Sequence, residues 1–334
     1  MRKARIAAIL FLALLAVLAG AAALGAAWYR KPLPLPHSPF DFEVRAGASL
    51  ASVARSLQDA GILPHRVVLT ALARVKGVDR AIKAGSYEIE QGITLPGLLG
   101  KLTQGDVTQT ALTIVEGTTF ADLRRALRES PDVRHVVVDL PDAELLARVG
   151  ATETVPEGLF FPDTYYFAAG SSDLAVLKRA YRAMRQRVDA AWSHRAPDLP
   201  LGSPYEALIL ASIVEKETGR AQDRPLVASV FINRLKRGMR LQTDPAVIYG
   251  LGERFDGNLR KRDLEADSPY NTYTRDGLPP TPIALPSQAS LDVVVDPPVT
   301  PYLYFVSRGD GTSEFSASLI EHNRAVSKYQ KGGR

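Results

Sequence analysis

Two carboxylates stand two positions apart where an apolar run ends, Glu215 and Glu217 in ALILASIVEKETGRAQDR (207–224). A carboxyl can give up a proton, take one or stabilise a nearby cation, and its surroundings decide which. On a helix turning ~100° per residue, Leu210, Ile213 and Val214 fall within about 60° of Glu217, whereas Glu215 falls about 160° away. Glu217 therefore continues the apolar stripe, and Glu215 is expected in solvent near Lys216 and Arg220. A carboxyl against apolar neighbours favours its neutral form, which suits a general acid working near neutral pH. The competing reading is structural: a lone Glu in a last helical turn commonly pairs with a Lys or hydrogen-bonds its surroundings. Thr218-Gly219 is expected to end the helix so that the Glu217 side chain can face a cleft, and the segment downstream is polar and aromatic rather than core-like.

Composition narrows the remaining chemistry. The chain has 334 residues and no cysteine, which excludes disulfides, thiolate nucleophiles and Cys-based zinc sites. Its 5 histidines are scattered without an H-x-x-x-H pair, so neither a catalytic metal nor another cofactor is expected. Positions 1–40 hold five basic residues (Arg2, Lys3, Arg5, Arg30, Lys31) and no acid, which leaves 36 basic against 36 acidic residues in the remainder. A neutral remainder without a Lys/Arg block argues against nucleic acid as a partner, because that affinity rests on phosphate neutralisation.

The elements that must position the glutamates follow a membrane signal. After a tail at 1–5, residues 6–28 run without a charge, long enough for a ~30 Å hydrocarbon core. The expectation is a single-pass anchor with a cytoplasmic N-terminus and the rest outside the cytoplasm. A Pro-rich spacer, 29–40, reads as extended and stiff. A weak internal repeat follows: FEVRAGASLASVARSL (42–57), YEIEQGITLPGLLGKL (87–102) and LTIVEGTTFADLRRAL (112–127). Each reads as a strand, a Gly turn at Gly47, Gly92 or Gly117, an N-cap at Ser49, Thr94 or Thr119, and an amphipathic helix. These copies define an α+β region from 41 to 130, and 131–155 reads as a connector. Residues 156–334 form a second, mixed α/β domain, opened by VPEGLFFPDTYYF (155–167). Helices are expected at 172–194, 204–219 and 224–241, and a terminal strand at 301–308.

The first repeat copy resembles a LysM module, a small fold associated with glycan binding. The blocks ASIVEKETGRAQDRPLVASVFINRLKRGMRLQTDPAVIYGLG (211–252), SPYNTYTRDGLPPTPI (268–283) and TPYLYFVS (300–307) resemble the YceG-like endolytic murein transglycosylases, also called the MltG family. The apolar run, the LysM-like region and EGLFFPDTYYF match in the same order, so the likeness covers nearly the whole chain. It implies an N-terminal transmembrane helix, a LysM-like α+β subdomain and a catalytic domain with a lysozyme-like catalytic glutamate at Glu217. It further implies a lytic transglycosylase on peptidoglycan strands at the inner membrane, working near cell-wall synthases. Glu157, Gln242, Asp244, Asn271 and Tyr273 stand in the matching blocks as candidate substrate-binding residues, and each could equally serve a loop hydrogen bond. Asp244, followed by Pro245, could also be an Asx-turn or N-cap. Two other functions compete: a non-catalytic peptidoglycan-binding scaffold, and a hydrolase using Asp244 or Glu157 as its second carboxylate.

Overall fold

The computed structural model describes residues 29–44, 47–83, 85–104, 109–168 and 170–330. The tail at 1–5 and the apolar run at 6–28 lie outside them, and no described helix is long and apolar enough to cross a membrane. In chain order the elements begin β1 (Phe40–Val44), α1 (Leu50–Asp59), α2 (Arg66–Val75), β2 (Gly85–Ile89), α3 (Leu95–Gln104), β3 (Gln109–Thr113), α4 (Phe120–Glu129) and β4 (Val133–Arg134). They continue with α5 (Asp142–Val149), β5 (Thr164–Ala168), β6 (Ser171–Ser172), α6 (Asp173–Ser193), α7 (Pro204–Glu217), α8 (Arg224–Lys236) and α9 (Asp244–Leu251). The last are α10 (Lys261–Glu265), α11 (Gln288–Val295), β7 (Tyr304–Ser307), β8 (Ser313–Ser316) and α12 (Leu319–Tyr329). The chain is thus α+β, rich in helix, and every sheet among the described residues has two strands. Contacts divide it into two units, 1–111 with 166–171, and 112–165 with 172–334.

In the first unit β1 pairs antiparallel with β2, Phe42 facing Tyr87. Leu57, Ile62, Leu69, Ile89, Leu98 and Leu102 fill its core, each fully buried aliphatic side chain contributing about 1.5–3 kcal/mol. The repeat is visible here residue by residue. Gly47 and Gly92 take φ of +76° and +92°, a region that costs a side chain strain and glycine none. Ser49 Oγ then accepts from Ser52 N–H at 3.2 Å and Thr94 Oγ1 from Gly97 N–H at 3.3 Å, capping α1 and α3. The Pro-rich spacer does not stand free: Leu33 N–H donates to Ile93 O at 2.7 Å, and Leu33 and Leu35 pack on this core.

The third repeat copy has the same turn and cap, Gly117 at φ +74° and a reciprocal box between Thr119 and Asp122, yet it belongs to the second unit. The division falls after 111 rather than at 130 because Phe120 stacks on Phe160, centroids 5.2 Å apart, and Gly117 and Leu285 bond through their backbones. The stretch expected as a connector is also built into this unit. It contains α5, and the Asp173 carboxylate, wholly buried at the start of α6, accepts from the N–H groups of Val136, Val137 and Val138 at 2.8–3.2 Å. Such a clasp satisfies three backbone donors and the carboxylate together.

At the centre of the second unit α7 packs against α6, α8 and α11. Ser203 caps it and Pro204 opens it, both favourable at a helix start. It stops at Glu217 because Thr218 turns extended, φ −149°. Helix α8 ends before the expected 241: Gly238 takes φ +63° and Met239 N–H closes onto Arg234 O at 2.9 Å. Strand β7 is shorter than expected and gains a partner, β8, with Phe305 facing Phe315.

Candidate active site

Every residue of α7 from Ala207 to Val214 is buried, so between its first and final turns the helix has no wet face. The two glutamates then diverge as their ~160° separation requires. Glu217 Oε1 accepts a hydrogen bond from Thr243 Oγ1 at 2.5 Å. Glu215 points to the start of α11, where its Oε2 accepts from Ser287 N–H at 3.0 Å, Ser287 Oγ at 2.5 Å and Ser290 Oγ at 2.6 Å. Its other oxygen lies 3.7 Å from Arg224 Nη2, and the Glu215 side chain is only 7% exposed. The expectation of a solvated Glu215 near Lys216 and Arg220 is therefore corrected. Lys216 reaches Gly117 O at 3.1 Å instead, and Arg224, the first residue of the next helix, supplies the countercharge. A buried carboxylate with three donors and a cation is a structural group.

Glu217 has one hydrogen-bond donor among the described residues and opens on a groove of about 530 Å³. Burial pushes its pKa up to about 7. The Thr243 hydroxyl and the more distant Arg234 charge oppose that rise, and the Asp244 charge adds to it. Near neutral pH the group is poised between its two forms, the condition a side chain needs to give up a proton and take one back.

The supports of Glu217 come from three elements. Thr243 occupies the N-cap position of α9, yet its hydroxyl makes no capping bond and serves Glu217 instead. Its backbone is held by Thr272, whose Oγ1 accepts from Thr243 N–H at 3.0 Å. Gln242 sits at φ +50°, the sole non-glycine residue there among the described residues; strain of that kind collects at functional sites. Arg234, on α8 and 8% exposed, spends its guanidinium on backbone oxygens: Nε donates to Leu303 O at 2.7 Å and Nη1 to Leu241 O at 2.8 Å. It therefore ties β7 to the turn before Thr243 and adds a cation to the groove. Thr243 and Arg234 escape sequence reading for plain reasons. A Thr before Asp-Pro reads as an ordinary cap, and an Arg late in a helix reads as solvated.

Among the candidate binding residues the structure makes a division. Gln242, Asp244 and Tyr273 line the groove with Glu217. Asp244 is neither an Asx-turn nor a capping group; it opens α9 and its Oδ1 accepts from Tyr273 Oη at 2.6 Å. Asn271 is 1% exposed, with Nδ2 donating to the carbonyls of Asp263, Leu264 and Ala266 and Oδ1 accepting from Tyr273 N–H. Its amide has a loop to hold and does not line the groove. Glu157, 4% exposed, is also outside the groove lining. One oxygen takes Phe120 N–H at 2.9 Å and the other Tyr249 Oη at 3.1 Å, bracing the start of α4 against α9, and burial raises its pKa to about 7.

This chain matches known proteins along most of its length. The model of the YceG-like family matches residues 42–328. A protein of Bacillus subtilis (strain 168) named endolytic murein transglycosylase is 31% identical over 307 residues, covering 86% of this chain and 84% of that protein. A protein of the same name from Streptococcus pneumoniae serotype 2 is 26% identical, and the match covers 85% of this chain and 57% of the longer relative. Among solved structures, a YceG-like protein of Listeria monocytogenes superposes with a TM-score of 0.52 at 28% identity, covering 85% of this chain and 98% of that one. The motif order read from the sequence, the span of the family match and the shared fold agree, and the chain belongs to the YceG-like family.

Proposed function

We propose that this chain is an endolytic lytic transglycosylase that cleaves MurNAc–GlcNAc bonds within nascent peptidoglycan strands and leaves 1,6-anhydro-MurNAc ends. The observation that carries the reading is Glu217, a carboxyl titrating near pH 7 with one donor at its back and an open groove in front. The names of the relatives support the substrate. Protonated Glu217 gives its proton to the glycosidic oxygen as the bond to the muramyl anomeric carbon breaks. As a carboxylate it then takes the proton of the muramyl C6 hydroxyl, whose oxygen attacks that carbon and closes the anhydro ring. One carboxyl thus serves both half-steps, and no water enters the product. Asp244, held by Tyr273 in the same groove, stabilises the positive charge that builds at the anomeric carbon, while Gln242 and the aromatic ring of Tyr273 meet the sugar.

The presence of Asp244 in the groove favours one second reading, hydrolysis with Asp244 activating water. Digestion of uncross-linked strands in ¹⁸O-labelled water separates the two. Unlabelled anhydro ends on internal fragments are expected, and labelled reducing ends would overturn the transglycosylase mechanism.

The uncharged run at 6–28 supports anchoring of the enzyme in the inner membrane with its catalytic domain outside the cytoplasm, close to the synthases that polymerise glycan. In that setting the LysM-like first unit is assigned to holding the strand, and cleavage ends elongation.

A further inference from the structure

Helix α12 and strand β7 build part of the groove, and one side chain there has no assigned role. His322 lines the groove together with Glu217. Its ring stacks on Tyr304, with centroids 5.2 Å apart and planes at 24°, and the Tyr304 ring also carries the Arg234 guanidinium 5.2 Å from its centroid. The stack fixes the plane of the imidazole. Burial and the Arg234 charge push the His322 pKa below its usual value, so the ring is neutral at neutral pH. Its Nδ1 is buried and has no hydrogen-bond partner among the described residues. A neutral imidazole has one N–H and one lone pair, and an orphaned buried N–H is the costlier of the two to leave unmet. The proton therefore sits on Nε2, which leaves His322, a groove-lining side chain, with a donor at that nitrogen.

We propose that His322 is a substrate-binding residue of the Glu217 groove, donating from Nε2–H to an uncharged oxygen of the glycan, a hydroxyl or an acetamido carbonyl. The inference rests on the glycan-cleaving reading of the same site. A neutral donor suits that site because it grips an uncharged sugar without adding a second cation that would favour the ionised form of Glu217.

The test compares the full-length protein with its H322F and H322Q variants on uncross-linked glycan strands, scoring kcat and KM separately, with thermal midpoints measured alongside. Phenylalanine keeps a ring against Tyr304 and removes the donor; glutamine restores an amide N–H near the position of Nε2. H322F is expected to lose about ten-fold in kcat/KM, chiefly through KM, and H322Q to recover most of it. If the parent protein itself leaves strands intact, the glycan reading falls and this inference with it. If the parent cleaves and H322F stays within about two-fold of it, or H322Q is no better than H322F, only the role of His322 is overturned. Should H322F fail to fold, H322N decides. Its amide reaches the Nδ1 position, so it is expected to show the loss that H322Q repairs, and equal activity of H322N and H322Q would refute the donor.

Discussion

Glu215 and Glu217 share one helical turn and differ in everything that decides what a carboxyl does. Glu215 receives three hydrogen bonds from Ser287 and Ser290 and lies beside Arg224, with 7% of its side chain exposed. Glu217 receives one, from Thr243, and faces a groove of about 530 Å³. Both are desolvated; only Glu215 is compensated. Burial alone therefore does not make a carboxyl reactive, and the decisive variable is how many donors are supplied to its charged form.

The strongest break in that comparison is Glu217→Gln. The amide fills the same space and cannot serve as the acid, so cleavage is expected to fall by about 10³-fold or more with the thermal midpoint unchanged or higher. Turnover near the parent rate would remove Glu217 from the mechanism. In the parent, cleavage should decline as pH rises through about 7, because the carboxyl must be protonated to start the reaction. The stability linkage has the same sign. The folded-state pKa is raised above the usual 4.5, so the stabilising contribution is full below that value and is lost as pH rises through about 7. Glu217→Gln should therefore gain on the parent in chemical denaturation at alkaline pH.

Glu215→Ala is expected to do the reverse: a loss of about 3 kcal/mol in urea unfolding, from orphaning Arg224 and two serine hydroxyls, with the surviving folded protein still active. Full stability joined to dead enzyme would mean that the two roles had been assigned the wrong way round. A smaller effect is expected from Thr243→Val, which keeps the shape and removes the donor. Without that bond the Glu217 carboxylate is less favoured, so the alkaline limb of the rate profile should move up by about one pH unit. An unmoved or downward-shifted limb would show that the Thr243 hydroxyl does not tune the acid.

Much of this was legible in the sequence, and the exceptions have physical causes. The three Gly turns and Ser/Thr caps could be read because they are local: a residue at positive φ and a side chain three positions from its donor. The opposite orientations of the two glutamates followed from helix geometry. What each would meet did not, because the partners of Glu215 lie 72 and 75 positions away and that of Glu217 lies 26 away. The same holds for Asp173, whose backbone partners are 35–37 residues upstream, and for Glu157, braced by Phe120 and Tyr249 at separations of 37 and 92. Asn271 and Tyr273 stand two positions apart in one polar loop, yet one faces three carbonyls and the other the groove. Loops lack the fixed period that lets a helix or strand announce which side is inward.

The place where α7 stops has a further electrostatic effect. Peptide dipoles aligned along a helix leave the equivalent of roughly half a negative charge at its C-terminus and half a positive charge at its N-terminus. Glu217 is the final residue of α7, so the helix that carries it also repels its anion and works with burial to keep the proton on. Glu215, two residues earlier, reaches across to the first residues of α11 and meets the positive pole of a different helix at Ser287. Neighbours in sequence are thus placed against opposite poles by a break at Thr218. Extending α7 through Thr218 and Gly219 would carry the negative pole past Glu217 and let it release its proton at a lower pH.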